Sequence, residues 1–202
     1  MDSTVRRATG GVWHKQDRAA NVVPHTSIDP EAHRTGSGWR GWVDGGKPHL
    51  VTAVAGVWLP LAAELTPANA AANAVAPLLL ADLPAEGRFV RGDRHENAPN
   101  VRALCGQDGR ILVASRRGGY PHTGDSVAVR RAYHKRRSAA IEHFNQPFEA
   151  IFDAHGTVPT RGLVATKRVA LGAVLVGQLL LWHRHAHGLD LRIGRKPCRK
   201  AT

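Results

Sequence analysis

The sequence is poor in cysteine, in aromatic residues and in long apolar runs. Cys105 and Cys198 are its two cysteines and lie far apart, without a Cys-x-x-Cys spacing, so neither a disulfide framework nor a zinc site is predicted. The opening residues lack the apolar stretch of a secretory signal. The longest apolar run, residues 169–182, is interrupted by Gln178 and two glycines and is shorter than the ~20 residues that cross a bilayer. These absences favour a soluble, cytoplasmic protein without a membrane partner.

Acidic residues are also scarce. Aspartate and glutamate together number 16 against 28 lysines and arginines, which gives a formal net charge of +12. Such a field attracts polyanions, of which DNA and RNA are the usual ones, although a ribosome-associated protein would carry the same charge. The length of 202 residues supports one domain, and an apolar fraction of 43% suffices for a buried core. We therefore expect one basic domain over residues 1–202.

The two ends of the chain look less regular than its middle. Residues 5–46 are rich in Gly, Pro, Arg and His and show neither a helical nor a strand period, which predicts a long irregular basic segment. Residues 186–202 are predicted to form a basic tail. Before that tail, a buried helix is predicted over about 164–185.

The middle of the chain begins with a predicted hairpin. Residues 50–54 and 57–61 are apolar and flank Ala55-Gly56, which predicts two antiparallel strands. A short helix is predicted over about 73–82, with Pro77 near its first turn, where proline is tolerated.

A strand–helix–strand pattern then surrounds Asp93. Residues 88–91 and 110–114 predict strands, and the helix between them is expected to have Asn97 as its N-cap and Pro99 just inside. Such a unit makes the two strands parallel, with a right-handed crossover. Asp93 then lies just past the carboxyl end of the first strand, where ligand-binding groups gather in open α/β sheets. The predicted fold class is α/β.

The stretch over residues 115–137 is predicted to be a very basic loop. Its cations either contact phosphates, which would steepen the salt dependence of DNA binding, or form a solvated charged surface. The candidate DNA-binding residues are Lys47, Arg116, Arg117, Arg130, Arg131, Lys135, Arg136 and Arg137. A helix over about 138–153 follows and carries Glu142 beside an apolar stripe.

Tryptophans are interleaved with cations near the start of the chain. Trp13, Trp39 and Trp42 are the residues concerned. They either stack on exposed bases or pack in small clusters, and the sequence does not choose between these roles.

Several segments resemble the DDE transposases of bacterial insertion sequences. They are Asp2-Ser3-Thr4, residues 38–50, residues 64–69 (ELTPAN), residues 92–100 (GDRHENAPN) and residues 133–148. Together they span nearly the whole chain, and ELTPAN and Gly92-Asp93 are the most specific. The resemblance implies an RNase H-like mixed sheet with flanking helices. It also implies an N-terminally truncated chain whose first strand is largely missing.

The resemblance further implies a metal-dependent reaction on DNA. By position, Asp2, Asp93 and Glu142 take the roles of the acids that hold two Mg²⁺ (or Mn²⁺) ions. Two such ions can activate the attacking oxygen and stabilise the leaving oxygen, and Mg²⁺ prefers hard carboxylate ligands. The implied activity is DNA strand cleavage and strand transfer at insertion-sequence ends. The implied partners are terminal-repeat and target DNA and a second copy in a homodimer, in the nucleoid-associated cytoplasm.

Two alternatives stay open. Asp2 follows only Met1, and Asp44, Glu96 and Glu149 depart from the usual residues of the family, which favours a catalytically inactive DNA-binding remnant. A general nuclease or RNA-processing enzyme on the same fold is the other alternative, because a fold does not fix a function.

Overall fold

The structure, a computed structural model, describes residues 1–37, 41–53, 59–114 and 157–191, together with Ala128, Ala132 and Lys135. These residues form a mixed α/β fold. Its elements, in chain order, are β1 (Asp2–Ser3), β2 (Arg6–Arg7), α1 (Lys15–Ala19), β3 (His33–Ser37), β4 (Gly41–Thr52), β5 (Pro60–Pro67), α2 (Ala72–Ala81), β6 (Phe89–Gly92), α3 (Pro99–Gln107), β7 (Ile111–Ala114) and α4 (Leu163–Ala186).

Strand β4 is the centre of an antiparallel sheet. Gly45 lies opposite Arg7 of β2 and also opposite His33 of β3, so those two strands lie on opposite edges of β4. Strand β1 pairs with β4 as well, with Asp2 opposite Leu50. Strand β5 pairs with β4 from Gly46 to Thr52. Four short or medium strands are therefore held in place by one long strand.

Strands β6 and β7 form a parallel pair joined by α3. Their register runs from Phe89 opposite Ile111 to Gly92 opposite Ala114, so the predicted strand–helix–strand unit with parallel strands is confirmed. The N atom of Met1 donates a hydrogen bond to the carbonyl oxygen of Arg91. The start of β1 therefore lies against β6, and this contact links the antiparallel strands to the parallel pair.

Helices pack on both faces of this arrangement. Val51 belongs to a buried cluster with side chains of α2 and α3, whereas its neighbour Leu50 belongs to a second cluster with Ala170 and Val174 of α4. Successive side chains of a strand point to opposite faces. Helices α2 and α3 therefore cover one face, and α4 covers the other, as in other layered α/β folds.

Residues 5–46 are more regular than the sequence predicts. They contain β2, α1 and β3, and β4 already begins at Gly41. Glycine and proline lower the strand propensity of residues 41–48, which hid this part of β4. Pairing along both edges of β4 outweighs that propensity. A Cβ at Gly45 would lie 1.8 Å from the carbonyl oxygen of Arg6, so the close approach of β2 requires glycine there.

The predicted hairpin and the two helices of the middle region are confirmed, with differences in detail. Strand β4 begins earlier than predicted, and β5 is displaced along the chain, since it shares only residues 60–61 with the predicted second strand; the turn at Ala55-Gly56 lies outside the described residues. The N-cap of α3 is Ala98 and not Asn97, because Pro99 already occupies the first helical position.

Pro77 lies in the interior of α2, not near its first turn. A proline lacks the N–H that would bond to the carbonyl four residues earlier, which here belongs to Asn73. The side-chain amide of Asn100, on α3, donates to that carbonyl oxygen at 3.1 Å. The neighbouring helix thus supplies the hydrogen bond that Pro77 removes.

Helix α4 matches its predicted bounds closely, but it is buried on one side only. Ala170, Ala173 and Val174 are buried, while Leu175, Leu179 and Trp182 are exposed. The helix is long and apolar enough to cross a membrane by length and composition. Its buried side nevertheless packs on the sheet, and the amide of Gln178 donates to the carbonyl oxygen of Pro60 at 2.8 Å.

The start of α4 is attached to the early segment of the chain. A carboxylate oxygen of Asp29 accepts from the N–H of Gly162 at 2.9 Å, and one of Glu31 accepts from the N–H of Leu163 at 2.8 Å. The first N–H groups of a helix have no partner within it, and acids there stabilise the helix. These contacts join residues 29–31 to the far end of the sequence.

The predicted basic loop and basic tail are described only in part. Ala128, Ala132 and Lys135 are helical and exposed, so the loop prediction for residues 115–137 is wrong at these positions. They are spaced as on one helical face, and the alanines favour helix. Residues 187–191 follow α4 without regular structure, and residues 192–202 of the tail lie outside the described residues.

The contact between Asn100 and Asn73 predicts a measurable coupling with Pro77. Asn100→Ala should lower the free energy of unfolding by about 0.5–1.5 kcal/mol. In a Pro77→Ala background the loss should be smaller, because the substituted alanine would supply the missing N–H. Urea unfolding of the two single variants and the double variant measures this coupling. An equal loss in both backgrounds would contradict the assignment.

Candidate functional site

A polar cavity lies where β1, β4, the start of α2 and the turn after β6 meet. Its volume is about 750 Å³, and its wall includes Ser3, Lys47, Asn73, Asp93 and His95. The carboxyl end of β6 therefore opens into a space of the size that ligand sites usually have. Asp93 lies just past that strand end, as the sequence predicts.

The backbone after β6 folds into a tight turn through reciprocal hydrogen bonds. The Oδ1 atom of Asp93 accepts from the N–H of His95 at 2.5 Å and from the N–H of Glu96 at 3.4 Å. In return, the Oε2 atom of Glu96 accepts from the N–H of Asp93 at 2.5 Å. This is the Asp-x-x-Glu pattern of a capping box, in which each side chain satisfies the backbone of the other residue.

Glycine is required at the strand end that precedes this turn. A Cβ on Gly92 would lie 2.8 Å from the Cβ of Glu96 and 3.2 Å from its Oε2 atom. Glu96 is only 3% exposed because it packs into that space. Gly92, Asp93 and Glu96 thus form one structural unit.

The side chains of Asp93 and Glu96 are hydrogen-bonded to each other, and their pKa values move in opposite directions. Burial alone would raise the pKa of Asp93, but its hydrogen bonds with Glu96 and with the N–H of His95 outweigh burial and lower that pKa. Burial raises the pKa of Glu96 to about 8, and the hydrogen bond with Asp93 and the charge of Asp93 add to this effect. Near neutral pH, Asp93 is therefore the carboxylate and Glu96 the neutral acid.

Lys47 connects the cavity to the sheet. Its Nζ atom donates to the carbonyl oxygen of Ala70 at 2.8 Å, just before α2. Burial lowers the pKa of Lys47, while the charges of Asp93 and Glu96 act in the opposite direction. The half-buried ammonium therefore stands within electrostatic reach of the pair of acids.

Asp2 lies on β1, which pairs with β4. The terminal amine of Met1, the residue before β1, donates to the carbonyl oxygen of Arg91 on β6, and this bond connects the two sheets. Among the described residues, however, β1 contributes Ser3 and not Asp2 to the cavity wall. Asp2 therefore belongs to one sheet and Asp93 follows a strand of the other, and the described structure does not place both in one cavity.

The third acid of the predicted triad, Glu142, lies outside the described residues. Within the described part of the chain, no three His, Cys, Asp or Glu side chains form a group that could hold a metal ion. The triad and its two ions therefore stay predictions.

Of the candidate DNA-binding residues, the structure describes two. Lys47 lines the cavity, and Lys135 is exposed on a helix. The other candidates, which lie outside the described residues, are Arg116, Arg117, Arg130, Arg131, Arg136 and Arg137.

The residues around Asp44 form a packed ionic cluster. Arg34 lies opposite Asp44 in the sheet and contacts both carboxylate oxygens, the closest at 2.9 Å, and Arg18 reaches the same carboxylate at 3.5 Å. The guanidinium of Arg18 also lies 4.7 Å from the ring centre of Trp13. Trp13 is therefore part of a packed cluster, whereas Trp42 is exposed and Trp39 lies outside the described residues.

Two buried polar residues of this region were missed from the sequence. Glu96 could have been found, because Asp93 and Glu96 have the capping-box spacing and follow a glycine. His49 carried no local signal. It is 2% exposed on β4, and its Nε2 atom lies 2.9 Å from the hydroxyl of Thr66 on β5.

Comparisons with known proteins add no relative. No family model, no curated protein and no solved structure matches the chain.

The raised pKa of Glu96 predicts an alkaline loss of stability. In the unfolded chain the carboxyl of Glu96 has its ordinary pKa of 4.5. Its contribution to the free energy of unfolding is complete below that pH and is lost as the pH rises towards the folded-state pKa of about 8. Glu96→Gln keeps the shape but cannot ionise, so it should gain stability relative to the wild type between pH 5 and pH 8, by on the order of 1 kcal/mol or more. Urea unfolding at both pH values measures this difference.

The exposed residue Glu86 supplies the control. Glu86→Gln should leave the pH dependence of the wild type unchanged. A parallel pH dependence for Glu96→Gln and the wild type would show that Glu96 is ionised in the folded protein at neutral pH.

The lowered pKa of His49 predicts a loss of stability at acid pH. Burial lowers its pKa to about 4, and the charge of Lys47 adds to this effect. The buried neutral ring makes its full contribution to the free energy of unfolding above pH 6.5, the pKa of histidine in the unfolded chain. This contribution is lost as the pH falls from 6.5 towards 4.

His49→Gln should reduce the acid sensitivity of unfolding, by at most about 3 kcal/mol. The exposed residue His25 serves as a control through His25→Gln. The measurement is the unfolding temperature of each variant between pH 7 and pH 4. If this temperature falls with pH as steeply in His49→Gln as in the wild type, the role of this ring is refuted.

Proposed function

We propose that the protein is a DDE-type DNA transposase of bacterial insertion sequences, with an RNase H-like fold. In this proposal it cleaves and transfers DNA strands at insertion-sequence ends. Asp2, Asp93 and Glu142 hold two Mg²⁺ (or Mn²⁺) ions. The observation that carries the proposal is the position of Asp93 just past the carboxyl end of a parallel strand, on the wall of a polar cavity.

The topology supports the fold part of the proposal. Antiparallel strands β1, β4 and β5 precede a helix and a parallel strand–helix–strand unit, and helices cover both faces. Among the described residues the antiparallel strands and the parallel pair form two sheets linked through Met1 and Arg91, whereas the resemblance implies one mixed sheet with flanking helices. The carboxyl edge of its parallel strands is the usual place for ligand-binding groups.

The chemistry of the donors supports the metal part of the proposal. A carboxylate offers two oxygens with about four lone-pair sites. The Oδ1 atom of Asp93 can therefore serve the turn while the group also binds a hard cation. Mg²⁺ needs few protein ligands, because it keeps several waters and takes substrate phosphates as further ligands.

The charge supports DNA as the partner. A net charge of +12 favours a polyanion, and Lys47 is available beside Asp93 for a phosphate contact. We place the protein in the cytoplasm, associated with the nucleoid, and propose a homodimer on paired DNA ends. In this proposal α4 is a core helix and not a membrane span, because its sheet-facing side is packed and hydrogen-bonded.

One observation favours a second candidate, a catalytically inactive DNA-binding remnant. The carboxylate of Asp93 already accepts two backbone N–H bonds, and this is the ordinary role of a turn-forming aspartate. That role accounts for Asp93 without any metal.

A nicking assay with matched variants separates the two candidates. The substrate is a duplex that carries an insertion-sequence terminal repeat, incubated with Mg²⁺ or Mn²⁺. Asp93→Asn retains the Oδ1 acceptor of the turn but weakens metal binding, so it should reduce nicking roughly 100-fold or more, and thermal unfolding of the variant checks that it is folded. Asp2→Asn and Glu142→Gln should have similar effects.

Surface acids provide the controls. Asp82, at the end of α2, and Glu86 are exposed, so Asp82→Asn and Glu86→Gln should nick at the rate of the wild type. Nicking that survives in Asp93→Asn removes Asp93 from the mechanism. Salt-sensitive DNA binding by a wild-type protein that does not nick with either metal establishes the inactive remnant instead.

A further inference from the structure

We propose that the cavity beside Asp93 binds a single nucleotide unit, with the phosphate at Lys47 and the base among the amide side chains of the wall. The choice of DNA as the source of that nucleotide rests on the proposed function. The chemical class of the ligand, a nucleoside monophosphate, is argued from the cavity alone.

The size of the cavity fits one nucleotide. Its volume of about 750 Å³ lies within the ~300–1,000 Å³ of small-molecule sites. A double helix is too wide to enter such a space, whereas a strand end or an unpaired nucleotide can. The occupant is therefore a nucleotide that has left the duplex or never belonged to one.

The wall combines two kinds of polar group. Amide side chains can donate and accept at once, as the edges of bases require, and cations suit phosphate oxygens. The amides are Asn69, Asn73 and Asn97, and the cationic or titratable groups are Lys47, Arg94 and His95. Among the described residues of the wall there is no Trp, Tyr or Phe, so a base would be recognised by hydrogen bonds and not by stacking.

Lys47 is held in place for a phosphate contact. An ammonium has three N–H donors, and one of them bonds to the carbonyl oxygen of Ala70. That bond fixes the side chain at the wall while the remaining donors can reach an anion. Asp93 lies on the same wall, so a phosphate bound at Lys47 would be close to the proposed metal ligand.

The lysine of the wall lies on β4, and two of its three asparagines lie at the start of α2. Asn69 and Asn73 flank the start of α2, whose N-cap is Ala71, and α2 has no acid in its first turn. The side of the cavity away from Asp93 is therefore free of carboxylates among the described wall residues. The phosphate at Lys47 lies toward Asp93, the one carboxylate among the described wall residues, so the ammonium of Lys47 must offset the charge of Asp93.

The test uses thymidine 5′-monophosphate, thymidine and inorganic phosphate as probes, titrated into the full chain with EDTA at low salt. The monophosphate should bind at least about 10-fold more tightly than either fragment, because it makes both sets of contacts. Lys47→Ala should weaken the monophosphate and phosphate by about 10-fold, the loss of one charge-assisted hydrogen bond. Asn73→Ala should weaken the monophosphate about 5-fold and leave phosphate unchanged.

Lys15→Ala is the matched control, since Lys15 is exposed on α1 and does not line the cavity. Equal losses in Lys47→Ala and Lys15→Ala, or a monophosphate that binds no more tightly than phosphate, would overturn the proposal. If the alanine variant unfolds, Lys47→Met takes its place, because it keeps the length of the side chain without its charge, and the same loss of about 10-fold is expected. No metal is present and no cleavage is measured, so absence of nicking would leave this result standing.

Discussion

Strand β4 can pair along both of its edges only because Gly45 has no side chain. At this position β2 and β3 lie on opposite sides, and any Cβ would overlap the backbone of Arg6. Strand β1 lies only two residues before β2 in the chain. The close approach of β2 to Gly45 therefore helps to hold Asp2 and Ser3 beside β4. The start of β1 then reaches β6 through Met1 and Arg91. The contact of Met1 with β6 therefore depends on the close approach of β2 at Gly45, a glycine that is distant in sequence from Met1 and from β6.

The turn after β6 is a second constraint, and it bears on chemistry directly. Gly92 admits the buried Glu96, and Glu96 holds the N–H of Asp93. A hydrogen bond that involves a charged group contributes roughly 1.5–3 kcal/mol, so this turn is stable without a ligand. A metal ion need not disrupt it, because a carboxylate has lone pairs beyond those that two N–H groups use. The structural role of Asp93 and its proposed catalytic role are thus compatible, and the structural role also suffices alone.

Local patterns predicted the elements whose signals lie within a short window. The parallel unit around Asp93, helix α2 and helix α4 each coincide with a local apolar stretch of the expected length, and all three are confirmed. Strand β4 was recognised only from its second half, because its first half has glycines and a proline and is stabilised by partners distant in sequence. The interior position of Pro77 was missed for the same reason, since the compensating amide of Asn100 comes from another helix. Glu96 differs, because its spacing from Asp93 was visible and only its burial was not.

The electrostatics of the cavity constrain how a metal and DNA would bind under the proposed function. With Glu96 neutral, the charge of Asp93 is offset by that of nearby Lys47, so these residues alone make a weak cation site. Mg²⁺ commonly completes its coordination with substrate phosphates when protein carboxylates are few. A phosphate at Lys47 would add negative charge beside Asp93 and thereby raise the affinity for the cation. Binding free energies are reciprocal, so the cation would raise the affinity for the phosphate by the same factor. The net charge of +12 supplies the long-range attraction for DNA. The phosphate of the bound DNA then raises the affinity of the site for the metal ion.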